Sequence, residues 1–562
     1  MARPLKDVRS SQLHKLLQEA RGLLETDGVS ATRRLEASQA RFNSDPDFLN
    51  LLAECYYRSG RTIDVLKTLD RVIEIGAATV ETWSTTGLLM ARVKEYAQSI
   101  TAYQHALRLA PNDPSILHDY GKSLYEMGDV SNAAQQIERA RELSDKLLPW
   151  QSLATMAPGN PDYSNHDVLK IRQQYYQKLS ACVDAPARIA PKVVRRGRLR
   201  VGYLSSWFHR ENYMKPVWGL INDHHRERIE VHLLTDSAGD DLPGYRPYPE
   251  DVVHETGDLD NVQLAEAIRS IGLDVLVDLN AYSTLSRLGL FLTPPAPVTA
   301  AWFNMYATSG FPGFHYVIGD EQTVIREEEP AYSERVARLP QSYLSFVVSH
   351  DAPSVVDPPC LKNGYITFGS LCSQYKITRP VLDAWTEILR NVATARLILG
   401  NASLSSACNR DYVREEFVER GIDAERLKFL GKAPHREFLG YYDSMDIALD
   451  AFPYNGGTTT MEAIWQGVPV ITFHGDRWAS RTSASILAGT HLAQFVASNV
   501  DGYIASAIEL GNAPDVRDQL RQLRTSSREE LLRSPACNTT ALARAMEDLY
   551  FAMLSEISAE TI

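Results

Sequence analysis

Ile447-Ala-Leu449, Asp450-Ala-Phe-Pro-Tyr-Asn-Gly-Gly-Thr-Thr-Thr-Met-Glu462 and Gly467-Val-Pro-Val-Ile-Thr472 decide how this chain is read. An apolar strand end runs into a Gly-rich turn at Gly456-Gly457, and three hydroxyls open a helix-like run that leads to the next buried strand. Amides at such a helix start point outward beside the positive end of the helix dipole, and Thr458, Thr459 and Thr460 add hydroxyl donors. The arrangement is a seat for phosphate. On the turn alone an ordinary capped helix fits as well, because Thr and Gly are common caps.

Working outward, the same alternation recurs. Ile366-Thr-Phe-Gly369, Ala395 to Leu399 and Leu427 to Leu430 read as strands, with helices over 380–389 and 411–421 between them. Upstream, Leu199 to Ser205, Ile229 to Thr235 and Val275 to Leu279 form a second set, with a helix over 262–271. Strands alternating with helices predict parallel sheets, and two sets in sequence predict two lobes with a cleft. Ligands of such sheets sit at the carboxyl ends of strands, where Gly456 to Thr460 also fall. No GxGxxG follows a first strand, so a dinucleotide cofactor is not indicated.

The region before residue 150 repeats. Pro46, Val80 and Pro114 stand 34 residues apart, and with them Leu49, Trp83 and Leu117; Ala53, Gly87 and Gly121; Val72, Ala106 and Ala140. That period is the tetratricopeptide repeat's, a helix pair that buries its face only against neighbours. A weaker unit around 11–45 departs at its small-residue position, where Glu19 stands. Such arrays bind protein segments in their concave face; a structural or dimerising role, and with it a homodimer, stays open. From 148 to 196 the pattern breaks into Pro- and Asn-containing sequence with one helical stretch near 168–179 and the start of a basic cluster, Lys192 to Arg200, which reads as a connector.

Composition excludes several classes. Of 562 residues 44% are hydrophobic and 23% charged, as in soluble globular proteins. The 58 basic against 70 acidic residues give −12, which disfavours nucleic acid as the main partner. Six scattered cysteines include no CxxC, so neither a disulfide framework nor a structural zinc site is expected. The N-terminus lacks the apolar core of a signal peptide and no run of about 18 apolar residues occurs, which predicts a cytoplasmic protein without a membrane partner.

With these motifs in order, the chain resembles the O-GlcNAc transferase and SPINDLY group. The markers are Val201-Gly-Tyr-Leu-Ser-Ser206, Pro294-Pro-Ala-Pro-Val298 with Thr308-Ser-Gly310, Gln374-Tyr-Lys-Ile377, the 450–460 turn and Gly475-Asp-Arg-Trp-Ala-Ser-Arg481. The resemblance implies a multidomain α plus α/β chain, a tetratricopeptide-repeat superhelix followed by a two-lobed GT-B-type glycosyltransferase with Rossmann-like lobes. The expected divisions are a repeat domain over 1–147 with clear repeats over 46–147, a connector over 148–196, an N-terminal catalytic lobe over 197–352, a nucleotide-sugar-binding lobe over 353–536 and a closing helix within 537–562, with Asn538-Thr-Thr540 as its cap.

The resemblance also assigns roles. Lys376 matches the lysine that contacts the donor diphosphate, and Thr458 and Thr459 beside Gly457 match the paired threonines of the helix start. Glycosyl transfer needs the leaving diphosphate stabilised as charge develops, which a lysine, amides and hydroxyls supply without metal. Neither a metal nor any other cofactor is expected, the acidic pair Asp240-Asp241 lying in polar loop sequence. Glu462 occupies the place of a carboxylate that holds the nucleotide ribose, while Phe438 and His435 fall where relatives contact the nucleoside. The main departure follows the first strand of the catalytic region, where the family histidine is replaced: Glu211 stands at its position and His209 two residues earlier. Either is a candidate base or acceptor-positioning group. Asp278 and Asn280, ending the 275–279 strand, are expected to face the cleft on the acceptor side.

These readings predict an inverting protein O-glycosyltransferase acting on Ser or Thr of a protein held by the repeats, with UDP-GlcNAc as default donor. The 452–454 segment, the three threonines, Glu462 and Gly467-Val-Pro469 look closer to SPINDLY proteins, whose plant members use GDP-fucose, so another donor stays open. A small-molecule or glycan acceptor, and a repeat scaffold with an inactive transferase module, are the remaining alternatives.

Overall fold

The computed structural model describes residues 3–184, 197–237 and 242–560. Lys192, Arg195 and Arg196 of the basic cluster and the Asp240-Asp241 pair lie outside them. Two compact units are formed, one from the chain up to Met127 with Gln135–Ser144, the other from Gly128–Ala134 and everything from Asp145 onward.

The first unit is helical and follows the 34-residue period. Successive pairs open at Pro46, Val80 and Pro114 and are completed by Thr62–Glu74, Tyr96–Leu109 and Val130–Leu143. The residue before each opening caps its helix: Asp45 accepts from the Phe48 amide, Thr79 from Thr82 and Asp113 from Ser115 and Ile116. At Gly87 a Cβ would stand 2.8 Å from the Tyr103 ring, so the repeated small residue is what lets paired helices approach. In the weaker first unit Glu19 lies toward the surface and pairs with Arg34, and its neighbour Ala20 is the residue that is fully buried.

The second unit contains, among the described residues, two all-parallel sheets. The first holds β1 (Leu199–Ser205), β2 (Ile229–Thr235), β3 (Val252–Glu255), β4 (Val275–Asp278), β5 (Val298–Ala301), β6 (Tyr316–Asp320) and β7 (Arg335–Leu339), in the order β3-β2-β1-β4-β5-β6-β7. The second holds β8 (Thr367–Ser370), β9 (Arg396–Gly400), β10 (Leu427–Leu430), β11 (Ile447–Leu449), β12 (Val470–Phe473) and β13 (Val496–Ala497), in the order β10-β9-β8-β11-β12-β13. Each order reverses once, between β1 and β4 and between β8 and β11. Loops diverge at such switch points and leave a crevice beyond the strand ends.

Two further segments complete the first lobe. The stretch read as a connector carries helices Leu147–Met156 and Asn165–Ser180, and Arg172 anchors it. Its guanidinium is buried, donates to the Ala154 and Thr308 carbonyls at 3.2 and 2.6 Å and lies 3.8 Å from the Tyr282 ring centre. The closing helix, Thr539–Glu560, is longer than its apolar pattern suggests and packs on the first lobe. Its Tyr550 hydroxyl meets that of Tyr203 at 3.0 Å, and buried Glu547 accepts from the His225 amide at 2.9 Å and lies 3.0 Å from His224 Nδ1. The lobes are also pinned directly, Arg481 making a two-bond ion pair with Glu328 at 2.7 and 2.8 Å. Among the described residues no helix is long and apolar enough to cross a membrane.

Candidate active site

The turn read from sequence as a phosphate seat is folded by one carboxylate. Asp450, just past β11, is buried, and Oδ1 accepts from the Gly456 amide at 2.8 Å and from Ala451 at 3.0 Å while Oδ2 accepts from the Thr472 hydroxyl at 2.8 Å. The turn is thereby folded back on its own strand. A Cβ at Gly456 would meet Thr460 Oγ1 at 2.4 Å, which is why glycine stands there. Gly457 then opens the helix Thr458–Trp465 and offers no side chain as a cap. A glycine cap supplies no side-chain acceptor, so the amides at the helix's positive end have none from the cap residue. Thr458 and Thr459 lie half-exposed at the mouth. Thr460 is turned the other way by the helical rotation: it is buried, with its hydroxyl 2.7 Å from that of Ser483, so it braces the seat rather than lining it.

Lys376 reaches the same place from the other side of the switch point. It ends a short 3₁₀ turn, Gln374–Lys376, beyond β8, and its Nζ donates to the Asn455 carbonyl at 2.7 Å and lies 3.9 Å from the Tyr454 ring centre. Burial lowers its pKa, with Cys372 and Asp450 acting in the opposite sense. An ammonium held partly against its own desolvation in this way is ready to gain from an arriving anion.

One helical turn into the seat's helix, Glu462 is buried and engaged across the cleft. Its Oε1 accepts from Lys215 Nζ of the first lobe at 2.9 Å and lies 3.0 Å from His435 Nε2. Burial alone would raise its pKa, but Lys215 and His435 outweigh it and hold the carboxyl below its usual range. His350 stands edge-on to His435, ring centres 4.6 Å apart, and burial together with Lys215 lowers its pKa. Phe438, on the same short helix as His435 (His435–Gly440), is half-exposed and packs on Tyr441 with ring centres 5.7 Å apart. Lys215 is the residue that sequence reading passed over; a lysine in the apolar run 214–221 was the available signal.

On the first-lobe side the candidates separate. Glu211 opens the helix Glu211–Asp223 that carries Lys215 one turn later, and its carboxylate accepts from Ser349 Oγ at 2.6 Å. It therefore shares a helix face with the group that touches Glu462. His209 is exposed, with Nδ1 2.9 Å from Ser237 Oγ and Nε2 accepting from Arg210 Nε at 3.4 Å. Asp278 and Asn280 are both buried, their side-chain oxygens engaged by loop amides while Asn280 Nδ2 meets no acceptor. Asp278 accepts from the amides of Asn280 and Ala281 at 3.1 and 2.8 Å, and Asn280 Oδ1 accepts from the Ser206 amide at 2.8 Å, because loops leaving β1 and β4 need acceptors for their buried amides. Burial pushes the Asp278 pKa up to about 7. A second residue missed from sequence, the carboxylate Asp236, ties the β2 end down through a two-bond ion pair with Arg287 at 2.6 and 2.9 Å.

The Asp450 bonds make a direct prediction. Asp450→Asn keeps the shape but replaces one acceptor oxygen by a donor, leaving the Thr472 hydroxyl or the turn amides unmatched. A buried donor left unsatisfied costs about 1–3 kcal/mol, so both the melting temperature and the affinity of the seat for anions are expected to fall. Calorimetric unfolding and nucleotide titration of the variant measure the two effects separately.

Comparison with known proteins places this geometry. The chain is 31% identical over 374 residues to the Hordeum vulgare probable UDP-N-acetylglucosamine–peptide N-acetylglucosaminyltransferase SPINDLY, covering 65% of this chain and 39% of that protein. It is 35% identical over 300 residues to the Solanum lycopersicum protein of the same name, covering 52% and 32%. The chain thus spans well under half the length of these curated relatives. A solved mutant of the Thermobaculum terrenum O-GlcNAc transferase superposes with a TM-score of 0.77 at 25% identity, over 93% of this chain and 99% of that one. The model of glycosyl transferase family 41 matches residues 169–352 and 359–546, more than half of the sequence and both sides of the site just described. The chain belongs to glycosyl transferase family 41.

Proposed function

We propose that the chain is a metal-independent protein O-glycosyltransferase that moves a sugar, by default GlcNAc from UDP-GlcNAc, to Ser or Thr of a protein held by the helical repeats. The observation that carries this reading is the meeting of Lys376 and the uncapped helix start at Gly457 to Thr459 at a sheet switch point, in a chain of family 41. The acceptor hydroxyl oxygen attacks the anomeric carbon from the face opposite the diphosphate. The bond from that carbon to the phosphate oxygen breaks, and the diphosphate leaves with the electron pair against the Lys376 ammonium and the helix-start donors. The hydroxyl proton passes to Glu211, favoured over His209 because its helix also brings Lys215 to Glu462. With Lys376, amides and threonines available, this reading assigns no role to a metal. Glu462 holds the ribose, and the His435–Phe438 helix flanks the base. The protein works in the cytoplasm.

A different donor, GDP-fucose among them, is the second reading, favoured by the likeness of the 452–469 stretch to SPINDLY proteins. Thermal unfolding of the full chain with UDP, GDP, dTDP and CMP and their common sugar conjugates tests the donor. A ligand at a hundred times its dissociation constant stabilises the folded state by about 2.7 kcal/mol. Stabilisation by uridine nucleotides, followed by label from UDP-GlcNAc on Ser or Thr of added protein, is the expected result. Stabilisation by another base replaces the donor. Donor hydrolysis without protein labelling moves the acceptor to a small molecule or glycan, and no stabilisation by any nucleotide leaves a scaffold.

A further inference from the structure

Beyond β5 the chain crosses the cleft side of the first lobe in a backbone that L-residues avoid. Phe303 and Tyr306 have φ of 73° and 55°, in the left-handed region. Such conformations persist where the surroundings over-determine them, and they gather at ligand sites. Here the surroundings are identifiable. Trp302 is fully buried and its Nε1 donates to the Tyr343 carbonyl at 3.0 Å. Phe303 packs edge-on against Tyr213, ring centres 5.1 Å apart, and Asn304 Nδ2 donates to the Asn280 carbonyl at 3.2 Å. The buried Asp278–Asn280 network thus supports a loop whose own packing fixes its strained residues.

What this loop delivers is the Tyr306 side chain. Its ring centre lies 5.1 Å from that of Tyr454, the ring beneath the Lys376 ammonium. Its hydroxyl stands 3.8 Å from the position a Cβ on Gly457 would take, beside the uncapped end of the seat's helix. The side chain stays half-exposed. Burial raises the phenol's pKa, so it carries its proton at neutral pH and can donate.

We propose that Tyr306 is a catalytic residue contributed by the first lobe: its hydroxyl donates to a diphosphate oxygen of the nucleotide donor and stabilises the charge that builds there as the sugar leaves. The oxygen accepts a hydrogen bond and no proton is transferred. This rests on the donor reading above, and it adds a cross-lobe donor to the lysine and helix start of the second lobe. Lobe alignment and leaving-group stabilisation then become the same event, because the hydroxyl reaches the seat only when the two lobes are in register.

The test compares nucleoside diphosphate with nucleoside monophosphate of the base that wild type prefers, by calorimetric titration of the full chain. Tyr306→Phe keeps the ring and loses only the hydroxyl. It is expected to weaken diphosphate binding about tenfold, leave monophosphate binding unchanged and lower kcat more than it raises KM. Tyr454→Phe removes the neighbouring hydroxyl and leaves that of Tyr306 in place. An equal fall for both nucleotides in Tyr306→Phe, no fall, or the same loss of diphosphate preference in both variants would each overturn the assignment. Wild type that binds neither nucleotide would overturn the donor reading itself, and the assignment with it.

Discussion

Replacement of Lys376 by methionine is expected to lower sugar transfer by a factor of about 10²–10³, or roughly 3–4 kcal/mol, the scale for removing one preorganised donor from a developing oxyanion. The ligand-free variant should be no less stable than wild type. The direction of the Lys376 pKa carries that second half: burial disfavours its charge in the empty site, so a neutral chain of similar length removes a desolvated ammonium and forfeits one hydrogen bond, to Asn455. The loss therefore falls on the ligand-bound states. The sign with pH follows. The ammonium attracts the diphosphate, and deprotonation abolishes the attraction, so wild-type affinity for a nucleoside diphosphate declines on the alkaline side at a pH below the ordinary lysine value of 10.5. Lys376→Arg, which stays charged, should lose that decline even where its geometry binds less well. Melting curves, turnover and titrations across pH test each half, and a Lys376→Met protein that unfolds early would remove the argument.

Lys215→Met should behave in the opposite way, destabilising the empty protein. Lys215 and Glu462 have side chains 1% and 6% exposed, and removing one partner of a buried pair leaves the other charge uncompensated, at about 3–5 kcal/mol. His435 still faces Glu462, which points to the lower end of that range. Adding Glu462→Gln should restore most of the loss, because the amide carries no charge to strand. In wild type the Glu462 pKa is lowered, so its stabilisation is complete above the ordinary carboxylate value of 4.5 and is lost as pH falls through the lowered one. Without Lys215, burial is the larger influence and the carboxyl protonates earlier, so the single variant should regain stability relative to wild type on mild acidification. Denaturant unfolding of the single and double variants at neutral pH and near pH 5 distinguishes this from simple loss of packing, which pH would not relieve.

Much of this architecture is legible in the sequence, for reasons that also mark what was not. The strands Leu199–Ser205, Ile229–Thr235, Leu427–Leu430 and Ile447–Leu449 are short and rich in apolar residues, and the helix openings at Pro46, Val80 and Pro114 repeat both their caps and their small residues. By contrast β5, Val-Thr-Ala-Ala, is a short strand whose second half is two alanines of low strand propensity, held by neighbours on both sides, and β3 is a largely exposed edge strand placed by its register with β2. The seat around Gly456 was readable because its parts are contiguous. Lys215, 247 residues from Glu462, was not, since a buried lysine is intelligible only beside its partner. Asp278 and Asn280 were assigned to the cleft by their position at a strand end, but alternation along a strand does not show which loop amides lack acceptors. Nor does spacing distinguish Thr460, whose hydroxyl braces Ser483, from the two threonines before it.

The closing helix has a bearing on how the chain is made. Tyr203 lies on the opening strand of the first lobe and His224 just past its helix Glu211–Asp223, yet their buried partners, Tyr550 and Glu547, emerge from the ribosome more than three hundred residues later. The seven strands of that lobe are all synthesised before the first strand of the other, but its interior stays open until residues 547–550 have been translated. The lobe first in sequence is thus sealed only after every strand of the second has been made. A boundary drawn between β7 and β8 separates two sheets without separating two bodies that fold alone.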